Sequence, residues 1–472
     1  MLLIGILIFA LAFAYLAWKN LEWALLVLVF LLPTYLIRFN VGVPMTVLEF
    51  MILIIFVVWF WQNRSWLLAR FKRLETGKNI LPAVRYPFAW PLAAWLLISL
   101  LAVFIGGSTM AAFGIWRAYF FEPALLYIVV VNICSTRERF FRLFSAFGVS
   151  AIVISLFALY QYLTGNFIAN TLWASVAGRR ATSFFPYPNA IGLYLAPIAL
   201  LIIGMLSYLL AQGKSLFKRR WKIVLATVTV VACVVAIYCA RSEGAALGLA
   251  AGFFVFALAA NKKLRLAALS LIILGGIAFF TVPKVHSVVK DNILLHTFSG
   301  QVRRAQWHET WKMLKDGRLL SGAGLNAYQK TVAPYHVPGM YVWNYDDPHF
   351  LSKIRASAEF RAQSWQPLEI YMYPHSIVLN FWSELGLLGV IGFFWIIVMF
   401  FIFGIRAYRI ARRAQDPFAY AILGLMTALL ATIVHGLVDV PYFKNDLAVL
   451  FWIMMGMISF IEIEARKKTI NS

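Results

Sequence analysis

His375 stands where a polar stretch, residues 284–374, gives way to the apolar run 377–393. An imidazole at the mouth of a membrane-type helix, beside the largest polar segment of the chain, is suited to accepting a proton from a hydroxyl. The plainer alternative is an interfacial histidine that helps to cap the helix. Arginines occur at similar boundaries: Arg241 in a short turn between two apolar stretches, and the doublets Arg179-Arg180 and Arg303-Arg304. A guanidinium keeps its charge and can grip two phosphate oxygens at once, so this set suits a diphosphate at a membrane surface. For Arg241 the competing reading is an arginine that snorkels to the interface or pairs with Glu243, and for the doublets a solvated charge run. An ionisable group near membrane depth is expensive, which favours a functional reading of Arg241.

The acidic residues are fewer. Glu384 follows His375 by nine residues, about two and a half helical turns, too deep to touch it. It reads as a buried acid hydrogen-bonded to a neighbouring helix. Asp439, three residues after Gly436, is better placed, and with His435 it makes a second acid/base candidate. Asp346-Asp347-Pro348-His349 is the one cluster resembling a divalent-metal site, but a short acidic turn explains it as well, and no metal is assigned. Cys134, Cys233 and Cys239 have no paired spacing and read as packing residues. No phosphate loop of the Walker type and no Gly-x-Ser-x-Gly elbow is present, which argues against nucleotide hydrolysis and the usual serine esterase.

The elements that must position these groups are membrane helices. With 62% apolar and only 13% charged residues in a chain of 472, the composition excludes an ordinary soluble globule. Apolar runs long enough to cross a hydrocarbon core of about 30 Å fall near 2–18, 21–37, 45–62, 87–105, 115–133, 141–163, 188–210, 223–240, 243–260, 266–283, 376–404, 417–438 and 446–463. The expected fold is therefore an all-α polytopic membrane protein of 12 or 13 spans, one membrane domain over 1–472 with a single insert at 284–374. The net charge of +23 does not signal nucleic acid, because Lys and Arg cluster in short loops at 64–85, 137–142, 214–222, 262–265 and 406–413 and in the tail at 466–468. Positive-inside bias makes these cytoplasmic and puts 165–187, 241–243, the insert and 439–445 on the outer face. The first apolar run lacks a basic start and a cleavage site and reads as a retained helix. Within the insert, Val302, Trp307, Trp311, Met313 and Leu314 recur at helical spacing over 301–316, a pattern for an interfacial helix. Glycines then mark a turn at 321–326, and residues 334–348, rich in Tyr, Trp, His and Pro, read as a loop or lid.

Several motifs together resemble the O-antigen ligase and polymerase superfamily of polytopic glycosyltransferases: Arg180 with Pro188-Asn189, Arg241-Ser242, Arg303-Arg-Ala-Gln-Trp307, Ser321-Gly-Ala-Gly324, His375-Ser376 and Glu384-Leu-Gly386-Leu-Leu-Gly389. The resemblance extends over residues 175–460. It implies a metal-independent, cofactor-free, inverting transfer of a glycan from a polyprenyl-diphosphate carrier to a hydroxyl of a lipid, glycan or protein acceptor. This would occur at the outer face of a bacterial cytoplasmic membrane, in the building of envelope polysaccharide such as lipopolysaccharide. His375 would be the base, Arg241 and Arg303 the diphosphate clamps, Arg180 and Arg304 their supports, and Glu384, Asp439 and Trp307 further supporting groups. Ser376 stands where the family commonly has asparagine, and Arg318 where a proline often precedes the glycine turn. The competing function is a transporter or flippase for an envelope glycolipid, which would show inverted repeats and broken helices around a midplane site. A scaffold for polysaccharide assembly is a third.

Overall fold

A backbone in hydrocarbon can satisfy its hydrogen bonds only within itself, and the apolar runs accordingly fold as helices. The structure is a computed structural model describing residues 2–75, 86–213 and 216–470; the basic loops expected at 64–85 and 214–222 lie partly outside these residues. The first half of the chain forms α1 (Leu2–Lys19), α2 (Leu21–Phe30), α3 (Val47–Glu75), α4 (Ala89–Ile105), α5 (Met110–Trp116) and α6 (Glu122–Ile133). It continues with α7 (Arg137–Thr164), the single turn α8 (Thr171–Ala174), α9 (Asn189–Ala211), α10 (Arg220–Ala240), α11 (Glu243–Ala260) and α12 (Lys262–Thr281). Five shorter helices occupy the insert: α13 (Pro283–Ile293), α14 (Phe298–Lys315), α15 (Tyr328–Val332), α16 (Phe350–Ala356) and α17 (Ala358–Ser364). The chain then forms α18 (Ile377–Arg413), α19 (Phe418–Gly436) and α20 (Asn445–Ile470). Two short antiparallel ribbons are the only sheet among the described residues, β1 (Arg38–Asn40) with β2 (Pro44–Thr46), and β3 (Gly339–Tyr341) with β4 (Trp365–Pro367).

Among the described residues, ten helical segments are long and apolar enough to cross a membrane, and α1, α2 and α4 are shorter apolar helices. The protein is thus an all-α, multi-pass membrane protein. The expected span at 21–37 is helical only to Phe30, because Pro33 opens the 3-10 turn Leu32–Leu36. The span expected at 115–133 starts earlier, α5 and α6 being joined through a π-type turn at Arg117–Phe121. Caps set other boundaries: Thr136 accepts from the Arg139 amide at the start of α7, and Gly165, at φ 79°, closes it. Small residues permit close crossings, as where Gly204 of α9 meets Gly424 of α19 backbone to backbone. Helix α20 is the most enclosed, with 94% of its span buried, whereas α12 lies at the edge with 6%.

Helix ends sort into two faces. On one, Arg137 bonds Asp416 and Glu464, each at 2.6 Å, while Arg139 and Arg142 pair with Glu22 and Arg406 pairs with Glu462. This face gathers the basic loops at 137–142 and 406–413 with the basic end of α20. The opposite face carries His375, the insert and the loop between α19 and α20.

The insert is joined to the membrane helices by a wedge. Helix α18 breaks at Gly386 (φ 72°, ψ −172°), and the glycine turn that follows α14 fits against the break. Leu387 N–H donates to Leu320 O (3.1 Å), Ala323 N–H to Ser383 O (2.6 Å), and Asn326 N–H to the Glu384 carboxylate (2.7 Å). Leu325 N–H reaches Ala102 O at the end of α4 (2.8 Å). Glu384 is indeed a buried, hydrogen-bonded acid, but its partner is the backbone of this turn instead of a neighbouring helix. Any Cβ on Gly386 would collide with Leu320 O, and its positive φ disfavours a side chain as well. Gly386→Ala should therefore destabilise the fold by about 2 kcal/mol or more, seen as a lower unfolding temperature in detergent, whereas Gly275→Ala, where a Cβ meets nothing, should leave it unchanged.

Candidate active site

His375 immediately precedes α18, in the left-handed region at φ 43°, with Ser376 as the N-cap residue. The indole of Trp307 on α14 donates to the His375 carbonyl (3.4 Å), and the Tyr371 ring lies edge-on at 5.2 Å. Its Nδ1 is 3.6 Å from Oδ1 of Asp439, in the loop after α19. The other carboxylate oxygen of Asp439 accepts from the Asn189 side chain (3.2 Å) and is 3.8 Å from Nε2 of His435, and the Val440 amide donates to Oδ1 (2.8 Å). Burial alone would raise the Asp439 carboxyl, but the contact with His375, the neighbouring His435 and the Val440 amide outweigh it and hold the group well below the usual carboxylate range. The group is consequently an anion at any pH near neutrality. His435 is 2% exposed and closed in by Gly244 and Gly248 of α11, while the His375 side chain is 30% exposed. The two acid/base candidates expected from sequence are one arrangement, with His375 as its accessible member.

Asn189, at the start of α9, extends this arrangement to the arginines. Its side-chain oxygen accepts from Arg180 Nη2 (2.9 Å), and Arg180 also donates to the carbonyls of Ala240 (3.0 Å) and Arg241 (3.4 Å). Arg241 ends α10 in the left-handed conformation, φ 48°, with an exposed side chain and no ion pair to Glu243. Arg303, on α14, donates to Val438 O (2.8 Å), one residue before Asp439. Burial shifts the Arg180 guanidinium below its usual range; Glu243 opposes this, and the positive charges of Arg241 and Arg303 add to it. Arg180, Arg241 and Arg303 are thus near enough for their positive charges to act on one another.

Arg304 is not one of them. It is exposed and donates to the Tyr345 hydroxyl (2.9 Å), within the aromatic stretch of the insert. Arg179 donates to the carbonyls of Tyr162, Leu163 and Ala174, closing the end of α7. The aromatic stretch is folded down onto α14, with Gln301 bonded to both the amide and the carbonyl of Trp343. Asp347 bonds Lys353 (2.7 Å) and the His349 amide (3.0 Å), which makes the 346–349 cluster an acidic turn; no group of three metal-binding side chains occurs among the described residues. The three cysteines are buried and free.

A cavity of about 1160 Å³ opens beside His375 and Asp439. None of the four arginines of the sequence reading lines it; Arg38, Arg117, Glu49, Lys444 and Asn445 do. Arg117 pairs with Glu49 (2.9 Å) and with the wholly buried Glu122 (3.2 Å). Glu49 and Glu122 were open to detection as acids within apolar runs. Lys444 and Asn445 sit at the head of α20, and only their position in the fold draws attention to them.

The fold and this cluster define a multi-pass membrane protein with a histidine, a buried carboxylate and an anion-attracting group of arginines on one face. Residues 228–394, from within α10 to just past the break in α18, match the O-antigen ligase family, which supports the superfamily resemblance of the motifs. That family gives the chain a glycosyl-transfer role in O-antigen or polysaccharide assembly, with a lipid-linked glycan donor and an acceptor in the membrane. No curated protein matches the chain. Arg241, Arg303, Trp307, His375 and Glu384 fall inside the matched stretch; Arg180, Asn189 and Asp439 are brought to it by the fold.

Two substitutions separate the roles of the acids. Asp439→Asn removes the charge beside His375 and sets an amide NH2 against one of two donors, the Val440 amide or the Asn189 side chain, so it should lower glycosyl transfer about 10²-fold or more and lower the unfolding temperature as well. Glu384→Ala leaves the Asn326 amide unpaired and should cost about 1–3 kcal/mol of stability, read by thermal unfolding.

Proposed function

We propose that this protein transfers a glycan from a polyprenyl-diphosphate carrier to an acceptor hydroxyl at the extracytoplasmic face of a bacterial inner membrane, by a single inverting displacement that needs no metal. The observation that carries the reading is that Asp439, 3.6 Å from His375, is hydrogen-bonded through Asn189 to Arg180, which sets a base close to the arginines. The gathering of basic loops at the opposite face supports this sidedness.

In this mechanism Asp439 faces Nδ1 of His375, favouring the tautomer with its proton there and leaving Nε2 to accept the proton of the acceptor hydroxyl. The oxygen attacks the anomeric carbon, the bond from that carbon to the diphosphate oxygen breaks, and the diphosphate leaves with the electron pair. Attack opposite the leaving group inverts the anomeric centre. Arg180, Arg241 and Arg303 stabilise the charge that develops on the leaving group, the task a divalent cation performs elsewhere. The carrier's apolar tail stays in lipid while its charged head meets the arginines at the interface. His375 then needs only hydrogen-bond reach of the acceptor.

The test is transfer in vitro with purified protein and a polyprenyl-diphosphate glycan. His375→Ala should lower turnover by roughly 10²- to 10⁴-fold, and a chelator should leave the wild-type rate unchanged. Unchanged turnover in His375→Ala would exclude the assigned base, loss of activity in chelator would exclude the metal-free route, and movement of substrate without covalent product would favour a transporter. Arg241→Lys and Arg303→Lys keep the charge but lose the planar fork, so each should reduce transfer by about tenfold or more, measured as kcat/KM for the donor.

A further inference from the structure

The sequence pattern over 301–316 predicts an interfacial helix, but the fold turns most of that apolar stripe inward. Met313 and Leu314 are buried with Tyr328 and Val332, and Trp307 is engaged at the His375 carbonyl. What reaches the outside is the C-terminal end of α14 and the turn beyond it. Trp311, Lys312, Lys315, Leu319 and Leu320 are exposed, Leu320 by 75%, and Arg318 is half-buried. The Trp311 ring lies edge-on to Trp382 of α18 at 5.5 Å, and the Trp382 indole donates to the Leu319 carbonyl (2.7 Å). The Lys315 ammonium sits 5.3 Å from the Trp311 ring.

Backbone bonds fix where this turn meets the membrane helices. Leu325 N–H donates to Ala102 O near the end of α4, and Leu320 O accepts from Leu387 N–H just past the break in α18. At that level both helices present apolar side chains outward, Leu101, Phe104 and Ile105 on α4 and Leu388 and Ile391 on α18. Such stripes on membrane helices face hydrocarbon. Leu319 and Leu320 extend the same surface, and leaving both open to water would be costly. Tryptophan is the residue type enriched where hydrocarbon gives way to headgroups, the place the Trp311–Trp382 pair would then hold. The charge here is basic: residues 311–320 hold Lys312, Lys315 and Arg318 against one acid, Asp316, which the Tyr335 hydroxyl bonds. Lys and Arg stems lie along apolar surface while their heads reach phosphates. Lys312 and Lys315 also complement the dipole of α14, but that role does not account for Arg318, Leu319 and Leu320 beyond the helix. A second protein is a poorer occupant, because two leucines and a tryptophan offer far less than the about 800 Å² per partner of a stable interface.

We propose that the end of α14 and the turn beyond it form a binding site for an anionic phospholipid of the leaflet on the His375 face. Leu319 and Leu320 enter the acyl region, Trp311 and Trp382 lie at its boundary, and Lys312, Lys315 and Arg318 hold the headgroup phosphate. The lipid is a further attachment of the insert, beside its bonds to α4 and α18. This site stands apart from the transfer reaction above and holds no substrate.

The test uses the full-length protein in nanodiscs of phosphatidylcholine alone, or of equal parts phosphatidylcholine and phosphatidylglycerol. A bimane fluorophore on Leu320→Cys reports the site, since the native cysteines are buried. Phospholipid bearing a nitroxide on its acyl chain should quench it, and aqueous acrylamide should quench it about fivefold less than it quenches the free dye. In mixed nanodiscs, nitroxide-labelled phosphatidylglycerol should quench about twofold or more better than nitroxide-labelled phosphatidylcholine. The triple variant Lys312→Gln, Lys315→Gln, Arg318→Gln changes only exposed or half-buried side chains, and should erase that preference while keeping the quenching by lipid. Quenching by acrylamide and not by lipid would overturn the site. So would equal quenching by the two lipids with the native basic residues, or a preference that persists in the triple variant. A fall in unfolding temperature that is the same in both nanodiscs, with no phosphatidylglycerol preference at position 320, would instead assign the cations to the α14 dipole alone.

Discussion

A buried carboxylate that stays ionised must be surrounded, and the Asp439 anion is surrounded by groups from distant parts of the chain: the residue that opens α18, a histidine near the end of α19, the amide side chain that starts α9, and the backbone of its own loop. Breaking such an arrangement by removing one partner typically costs several kcal/mol, because the charge left behind cannot reach water. The ends of three helices are therefore fixed relative to one another on the His375 face. The arginines depend on the same point, Arg180 through Asn189 and Arg303 through the carbonyl of Val438.

Around this point the packing is aromatic. The hydroxyl of Tyr442, three residues after Asp439, accepts from the indoles of Trp95 and Trp452, each at 3.1 Å, and donates to Tyr119 O (2.8 Å). That single hydroxyl ties the α19–α20 loop to α4, α20 and the π-type turn. The π-type turn in turn carries Arg117, which lies against two acids in an apolar setting, Glu49 (2.9 Å) and Glu122 (3.2 Å).

Much of this was legible before the fold was known, for definite reasons. Apolar run length reports helix crossing because the hydrocarbon thickness is fixed, and the basic loops report the faces because their charge cannot easily cross. These two signals put His375, Arg180, Arg241 and Arg303 on a common face, and the structure brings them to one region. Other features depend on contacts that no local pattern encodes. The sequence reading set Asp439 beside His435 because they are four residues apart on one helix end, whereas its contact with His375 depends on how α18 and α19 pack. Arg304 and Arg303 look equivalent as a doublet, but adjacent residues on a helix point in different directions, and only Arg303 reaches the α19–α20 loop. The Glu-x-Gly-x-x-Gly signature marked something important in α18 without revealing that it is a break filled by the chain's own glycine turn.

That filled break divides the insert into parts with different freedom. Residues up to Asn326 are locked to α4 and α18 by backbone hydrogen bonds, which depend on chain geometry more than on side-chain identity, and the chain is fixed again where Trp307 holds the carbonyl of His375. The stretch from 327 to 373 is held in addition along α14, where Gln301 bonds Trp343 and Glu309 bonds His336 and the Val337 amide. Because α14 carries both Trp307 and these bonds, a change in how the stretch seats on α14 would reach the carbonyl of His375.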